Sequence, residues 1–232
     1  MGLECLNKSA IVLILATWEA FVEDLAENAF ECMLANASKH NVFPQQVLDL
    51  AWKAFKSEPT QDALKKIEAG WREIFKHHKS KILAKYIERG SFNTPSAANI
   101  DYLFAELIGL NSMSSNWRWR AQRQTTSVNK LQRLIELRGA IAHRAAAEDA
   151  VVKMHVLEYS KLVVRLAAKS HNAVRAYLET TLGFIPCVEF SQGDLDVLIA
   201  RLDLFAAPAA DAANDDPVAP ENLNLEIPDE DE

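Results

Sequence analysis

The sequence predicts an all-α protein built from a few long helices. Only 7 of its 232 residues are glycine, while 49% are hydrophobic and 25% are charged. Glycine punctuates turns, so its scarcity argues against many short strands. Apolar residues also recur at intervals of three and four along much of the chain, which is the spacing of one helix face. We expect a helical bundle of long antiparallel helices over residues 1–205 and a tail over 206–232.

The first predicted helix runs from Leu3 to Ala37. At 100° per residue its large apolar side chains fall on one broad stripe, which we expect to face the core. The stripe comprises Ile11, Ile14, Leu15, Trp18, Phe21, Val22, Leu25, Ala29 and Met33. Glu19 lies at the edge of this stripe, so it either turns outward to water or requires a buried partner.

Three further helical stretches are predicted before residue 110, one of them broken in two. Pro44 suits the first turn of the second helix. Residues 59–89 are helical too, with a break near Gly70 and an end at Gly90. Thr94 followed by Pro95 predicts a cap and a first helical position, starting a helix that runs through Ile108.

The remaining helices are separated by two irregular stretches. Residues 111–116 read as a polar loop and residues 186–191 as a short extended piece. Between them, one helix is predicted from Thr125 to about His143 and a longer one over residues 145–182, ended by Gly183. A last helix covers residues 194–205.

The tail holds much of the negative charge. The formal net charge is -7, but nine of the 32 acids lie in residues 211–232, which contain no Lys or Arg. The rest of the chain therefore has 25 bases against 23 acids. Such a tail cannot bury enough apolar surface to fold, so we expect it to be disordered. A near-neutral body makes a large, generally basic surface unexpected, although it is compatible with an anionic partner.

The cysteines predict neither a disulfide framework nor a zinc site. Cys5, Cys32 and Cys187 are odd in number, widely spaced and outside any CxxC pattern. Reduced thiols fit a cytoplasmic protein. The apolar run over residues 10–18 is too short to span a bilayer and acids follow it at once, so no membrane segment is expected.

Arg138 occupies an unusual place on the predicted helix from Thr125 to His143. On a helical wheel it falls near the middle of an apolar arc formed by Leu134, Ile135, Leu137, Ile141 and Ala142. A guanidinium keeps its charge, so burial requires a carboxylate, a phosphate or a water-lined cleft. Arg138 could instead extend past its neighbours to water or pair with an acid such as Glu19.

His143 follows Arg138 by five residues, which places it about 140° away around a continuous helix. The two residues can share a compact site in two ways. Either the helix ends near Ala142 and His143 turns inward, or a second copy of the chain completes the site across a two-fold axis. Glu136, Gly139 and His143 share a face, and small residues there would let another backbone approach closely.

The segment preceding this helix is rich in arginine and tryptophan. Aromatic rings can stack on unpaired bases while arginines contact phosphates, which is typical of single-stranded RNA binding. The alternative is that the tryptophans pack on the core. The predicted RNA-binding residues are Trp117, Arg118, Trp119, Arg120 and Arg123.

The six residues Arg138-Gly139-Ala140-Ile141-Ala142-His143 resemble the R-x4-H motif of the HEPN superfamily of all-helical domains. Residues 11–30, IVLILATWEAFVEDLAENAF, also resemble the first helix of stand-alone prokaryotic HEPN proteins of the RiboL-PSP type. The resemblance covers residues 1 to about 185. It implies a metal-independent endoribonuclease whose active site forms at a homodimer interface, with Arg138 and His143 as catalytic residues and no cofactor. One departure is Gly139, where family members often have a polar residue.

This chemistry suits RNA, which carries its own nucleophile in the 2′-hydroxyl. Histidine can take or give a proton near neutral pH, and Arg138 would stabilise charge on the phosphate. We expect products with a 2′,3′-cyclic phosphate and a 5′-hydroxyl. Glu19 and Glu136 are the predicted supporting residues.

Two other interpretations stay open at this stage. The first is a non-catalytic RNA-binding or protein-interaction module that regulates a partner protein, for which Gly139 is the only hint. The second is an inhibitory partner whose acidic tail imitates nucleic acid. For the ribonuclease, the resemblance suggests a toxin or a phage-defence effector in the cytoplasm.

Overall fold

A computed structural model describes residues 2–88, 95–120, 122–144 and 150–206 of the chain. These residues form eight α-helices and no β-strand, which confirms the all-α prediction. The helices are α1 (Gly2–Asn36), α2 (Gln45–Lys56), α3 (Thr60–Ala69), α4 (Trp71–Leu83), α5 (Ala97–Leu107), α6 (Gln124–Arg144), α7 (Lys153–Leu182) and α8 (Gln192–Ala206). The tail from residue 207 onward, predicted to be disordered, lies outside the described residues.

Helix α1 provides the central surface of the bundle. Ile11, Leu15, Trp18 and Val22 are at most 1% exposed, as the apolar stripe predicts, and α1 packs against both α6 and α7. By length and composition, residues Leu3–Asn36 could also cross a membrane. In this fold the apolar stripe of α1 packs on neighbouring helices, while Leu3, Leu6 and Leu13 of the same helix are exposed.

The two longest helices, α1 and α7, run in the same direction. The Asn7 side chain donates a hydrogen bond to the Val151 carbonyl just before α7. Further along, residues 10–17 of α1 line the same groove as residues 156–164 of α7. This pair therefore differs from the antiparallel arrangement expected for the long helices, because the chain between them, residues 37–152, returns to the starting end of the bundle.

Two glycines explain how the helices of the first half join. Gly70 has φ 94°, a left-handed value that ends α3 and lets α4 begin at once, which confirms the predicted break. Gly109 has φ 84°, and a Cβ there would lie 2.5 Å from Pro44 Cγ. The start of α2 can therefore approach the end of α5 only because residue 109 is glycine.

Helix starts differ from their predicted positions in two places. Helix α5 begins at Ala97, and Ser96 is its cap: the Asn99 backbone N–H donates to Ser96 Oγ over 3.3 Å. The predicted cap Thr94 lies outside the described residues. Helix α7 begins at Lys153 and not at Ala145, because Val152 before it has an extended backbone (φ -99°, ψ 161°) and Val151 is buried, only 2% exposed.

The predicted polar loop over residues 111–116 contributes two buried residues to the fold. Met113 and Ser114 are buried in a short 3-10 helix over Met113–Asn116. Both the backbone N–H and the hydroxyl of Ser114 donate to the Asp101 carboxylate over 2.7 Å. Asp101 thereby holds the segment that leads to the tryptophan-rich stretch against α5.

Candidate functional site

Helix α6 carries both positions of the R-x4-H motif. The helix continues without a break through Arg144, so it does not end near Ala142 to turn His143 inward. On this continuous helix the positions of Arg138 and His143 lie about 140° apart around the axis. The side chain of His143 lies outside the described part of the chain. The continuous helix therefore disagrees with the first of the two ways in which Arg138 and His143 could share a site.

Arg138 is half-buried where α6 packs on α1. Its guanidinium interacts electrostatically with the Glu19 carboxylate of α1. Among the described residues, however, none forms an ion pair or a hydrogen bond with the Arg138 side chain, so Glu19 is a neighbour and not a contact partner. The cation thus keeps capacity for another anion, as a phosphate-binding role requires.

The environment of Glu19 disfavours the charged form of its carboxyl group. Burial raises the pKa of Glu19 above its usual 4.5, and the Arg138 guanidinium only partly opposes this by lowering it. Burial also raises the pKa of Glu23 one turn further, and the charges of Glu19, Asp24 and Glu27 add to that rise. Because desolvation has the largest effect, the attraction between Glu19 and Arg138 is weaker than the cost of burying the carboxylate.

We expect Glu19→Gln to gain stability over the wild type as pH rises from 4 to 7. A raised pKa in the folded protein means that ionising Glu19 destabilises the fold, and this loss sets in above pH 4.5, the usual pKa of a glutamate. The variant has no such loss, and Glu23 ionises more easily beside it. Urea unfolding at both pH values measures the difference. If instead the wild type becomes more stable relative to the variant as pH rises, the charged Glu19 carboxylate neutralises Arg138.

The face of α6 that carries Glu136 and Gly139 is open. Glu136 is exposed and accepts a hydrogen bond from the Gln132 side chain over 3.0 Å. A Cβ built on Gly139 meets no atom within 4 Å. Ala142 on the next turn is exposed as well. Small residues on an open helix face allow a second backbone to approach closely.

Trp117 belongs to the hydrophobic core, so the prediction that it stacks on RNA bases is wrong. It is 0% exposed, and its ring meets that of Trp18 edge-on at a centroid distance of 5.8 Å. Its indole N–H donates to Ser170 Oγ on α7 over 2.9 Å. The alternative of core packing holds for this residue, because the buried hydroxyl of Ser170 satisfies the indole nitrogen.

The rest of the tryptophan-rich segment remains at the surface. Arg118, Arg120 and Arg123 are exposed, and Trp119 is half-buried. The Arg165 guanidinium of α7 lies over the Trp119 ring, 5.6 Å from its centroid. These four predicted RNA-binding residues are therefore accessible, and Trp119 already makes the kind of cation–π contact that such rings favour.

Lys76 and Lys79 flank His77 and His78 in the sequence and indicate a solvated helix face, but both histidines contact neighbouring segments of the fold. His78 is 1% exposed, and its Nε2 lies 3.0 Å from the Glu106 carbonyl oxygen. His77 Nε2 lies 2.7 Å from Glu58 Oε1. Burial lowers the pKa of both imidazoles. These contacts hold both side chains against neighbouring segments of the fold.

Within the described ranges, no group of three or more histidine, cysteine or acidic side chains is arranged to hold a metal ion. The three cysteines are free thiols.

Comparison with known proteins gives one match. The chain matches the RiboL-PSP-HEPN family over residues 3–175, which include nearly all of α1 and the whole of α6. Searches of curated proteins and of solved structures each found no match. The matched range is well over half of the 232 residues, and it contains both segments that carry the resemblance. The chain therefore belongs to the RiboL-PSP-HEPN family of the HEPN superfamily.

Proposed function

We propose that this protein is a metal-independent endoribonuclease, active as a homodimer, in which Arg138 and His143 of both copies line one cleft. The observation that carries the proposal is the uninterrupted course of α6 through Arg144. Because the two motif positions lie about 140° apart on that helix, one chain alone does not bring them to one point. Pairing two copies of α6 about a two-fold axis would bring an arginine of one copy near a histidine of the other.

Surface features near α6 support such a pairing. At Gly139 an added Cβ would meet no atom within 4 Å, which is compatible with the close approach of a second backbone. On the same bundle, Leu13 is 66% exposed and Met154 58% exposed, and an apolar groove of about 350 Å³ runs between α1 and α7 beside Leu13. Large exposed apolar side chains around a groove are typical of a protein-binding surface. We assign this surface to the second copy, since α7 follows α6 by only a short connection.

The reaction needs only proton transfer and charge stabilisation. The His143 imidazole of one copy acts as the general base and removes the proton of the RNA 2′-hydroxyl. The 2′-oxygen then attacks the adjacent phosphorus. The 2′-oxygen to phosphorus bond forms, the bond from phosphorus to the 5′-oxygen breaks, and an acid, the other copy's imidazole, protonates the leaving oxygen. Arg138 holds the phosphate oxygens and stabilises their added charge. The products carry a 2′,3′-cyclic phosphate and a 5′-hydroxyl.

Two acids have supporting parts in this proposal. Glu19 orients Arg138 electrostatically without neutralising it, because it is close enough to affect the guanidinium but makes no ion pair. Glu136 shares the open face of α6 with Gly139 and is placed to contact the second copy. The proposal places the enzyme in the cytoplasm as a toxin or phage-defence effector, a role that rests on the family and not on any residue.

The direct test is to incubate the purified full-length protein with mixed RNA in excess EDTA. We expect cleavage at the same rate with and without the chelator, and products that accept a 5′-phosphate from a kinase without prior phosphatase treatment. Cleavage that stops in EDTA would contradict the metal-independent mechanism. RNA that stays intact under both conditions would favour the second candidate.

That second candidate is a non-catalytic HEPN module that binds RNA or a partner protein and regulates it. Gly139 favours it, because it stands directly after Arg138, where related proteins often carry a polar side chain. A module of this kind would keep the dimer and its RNA affinity without cutting. Binding and cleavage measured on the same RNA distinguish the two candidates.

A further inference from the structure

A basic groove lies beside the tryptophan-rich segment, away from the R-x4-H motif. It encloses about 720 Å³ between the 119–122 turn, α6, α7 and α8. A pair of backbone hydrogen bonds between Trp119 and Gln122, 3.1 and 2.9 Å long, closes the turn and fixes one wall. The groove thus combines side chains from residues 119 to 196, and no single stretch of the chain predicts it.

The charges that line the groove are mostly positive. Four cations face it, against two acids. The cations are Arg120, Lys130, Lys161 and Arg165, and the acids are Glu158 and Asp196. Neither acid forms an ion pair with a described cation, and Asp196 accepts a hydrogen bond from Gln192 over 2.9 Å. The groove therefore carries a surplus of positive charge within a near-neutral body.

Only one of the four cations has a carboxylate partner in the described chain. Lys161 pairs with Asp203 of α8. Arg165 contacts the Trp119 ring, and neither Arg120 nor Lys130 makes an ion pair or a side-chain hydrogen bond within the described ranges. In a concave site where cations outnumber acids, the net positive charge concentrates the potential that attracts a polyanion.

The aromatic wall indicates which polyanion fits. Trp119 is half-buried, held in place by Arg165 on one side and lining the groove. An accessible ring among arginines and lysines is how proteins bind unpaired nucleotides, because each base can stack while the phosphates meet the cations. An acidic peptide would use the cations but would not need the ring.

The groove and the motif lie on one helix. Lys130 precedes Arg138 by eight residues on α6, a separation of roughly 12 Å along the helix axis. A single strand only a few nucleotides long can span that distance. A strand seated in the groove could therefore extend along α6 toward the motif.

We propose that the basic groove is a single-stranded RNA subsite, in which Arg120, Lys130 and Arg165 bind phosphates and Trp119 stacks on a base. This inference rests on the proposed function for the identity of the ligand as RNA. The subsite holds substrate, whereas Arg138 and His143 act on it. RNA affinity and RNA cleavage are therefore separable properties of the protein.

The test compares two sets of changes in the full chain, both made together with His143→Ala so that RNA stays intact. One set changes the groove cations, Arg120→Gln with Lys130→Gln; both side chains are exposed, so the fold should be kept. The control has the same charge change on the distant helix α2, Lys53→Gln with Lys56→Gln, also exposed. The probe is a fluorescent single-stranded oligouridylate, with anisotropy measured over a series of salt concentrations.

We expect the groove variant to bind at least about 10-fold more weakly than the control. The slope of log K against log salt should shrink by about 1.4, because two phosphate contacts on a single strand are lost. Equal affinity and slope in the two variants would overturn the proposal. So would poly-glutamate that displaces the oligouridylate from the His143→Ala parent as well as unlabelled RNA does, since the groove would then bind any polyanion.

Failure of the catalytic proposal would look different. If the wild type binds the probe in a groove-dependent way but does not cut RNA in EDTA, the subsite holds and the endoribonuclease proposal fails. If the wild type cuts RNA in EDTA but the groove variant binds as tightly as the control, the endoribonuclease proposal holds and the subsite proposal fails.

Discussion

Arg138→Ala is expected to lower the rate of RNA cleavage by roughly 10²–10³-fold, because it removes the cation that stabilises charge on the reacting phosphate. Arg138→Lys should recover only part of this loss, since an ammonium cannot offer two parallel hydrogen bonds to phosphate oxygens. The measurement is single-turnover cleavage of an end-labelled RNA in EDTA. His143→Ala should be impaired as strongly, because it removes the proton acceptor.

Controls on the same chain make this prediction specific. Arg133 is an exposed arginine on the same helix, and His40 is an exposed histidine far from it in sequence. Arg133→Ala and His40→Ala should cleave within a few-fold of the wild type. If Arg138→Ala and His143→Ala cut as fast as these controls, the R-x4-H motif is not the active site.

Trp117→Ala is expected to reduce the free energy of unfolding by about 3–5 kcal/mol, the usual cost of truncating a large buried aromatic residue. The indole is fully buried against Trp18, and its loss also leaves the Ser170 hydroxyl without its donor. Urea unfolding monitored by circular dichroism measures the effect. Any loss of RNA affinity in this variant should follow from unfolding of the whole protein, and the fraction that stays folded should bind RNA as the wild type does.

Trp119→Ala is the matched comparison two residues away. Trp119 is half-buried and contacts the Arg165 side chain. We expect its removal to cost clearly less stability than Trp117→Ala and to weaken RNA binding while the protein stays folded. Equal stability losses at the two positions would contradict the division of this segment into a core tryptophan and a surface tryptophan.

Helices could be predicted because their apolar spacing reflects burial directly. Ile11, Leu15 and Trp18 recur on one face of α1 and are buried as a group. The left-handed Gly70 between α3 and α4 could also be predicted, since glycine takes that conformation without strain. Helix starts were harder: the alanine-rich stretch from Ala145 has high helix propensity, yet α7 begins at Lys153, directly after the buried Val151 and the extended Val152.

Loops were predicted less well because their buried side chains do not recur at a regular spacing in the sequence. Trp117 and Trp119 alternate with arginines and look equivalent in sequence, but only Trp117 finds a pocket lined by α1 and α7. His78 shows the same limit: its neighbours Lys76 and Lys79 suggest a solvated face, but the ring points at the Glu106 carbonyl of α5. Which side chain is buried was decided by contacts from distant segments.

Some residues of the candidate site could be predicted from the sequence and others could not. Helical geometry could show that Arg138 is out of place on an apolar arc and that Glu19 lies at the edge of the stripe on α1, but that the two residues are neighbours appears only in the structure. Lys130, Lys161 and Arg165 showed no such signal, since each is an ordinary charged residue on a helix surface. Their importance arises only when α6, α7 and α8 bring them to one groove.

The central claim is that two copies of α6 meet at the face that carries Gly139. The most direct test is Gly139→Cys in a chain whose Cys5, Cys32 and Cys187 are replaced by alanine. The new side chain meets no atom within 4 Å in the single chain. A disulfide forms only when the two Cα atoms lie within about 7 Å. We therefore expect mild oxidation to link the Gly139→Cys variant into dimers, while Lys130→Cys, on the opposite side of α6, stays monomeric under the same conditions. A Gly139→Cys variant that keeps its free thiol and stays unlinked, or equal linking at both positions, would contradict a composite site built from two copies of this helix.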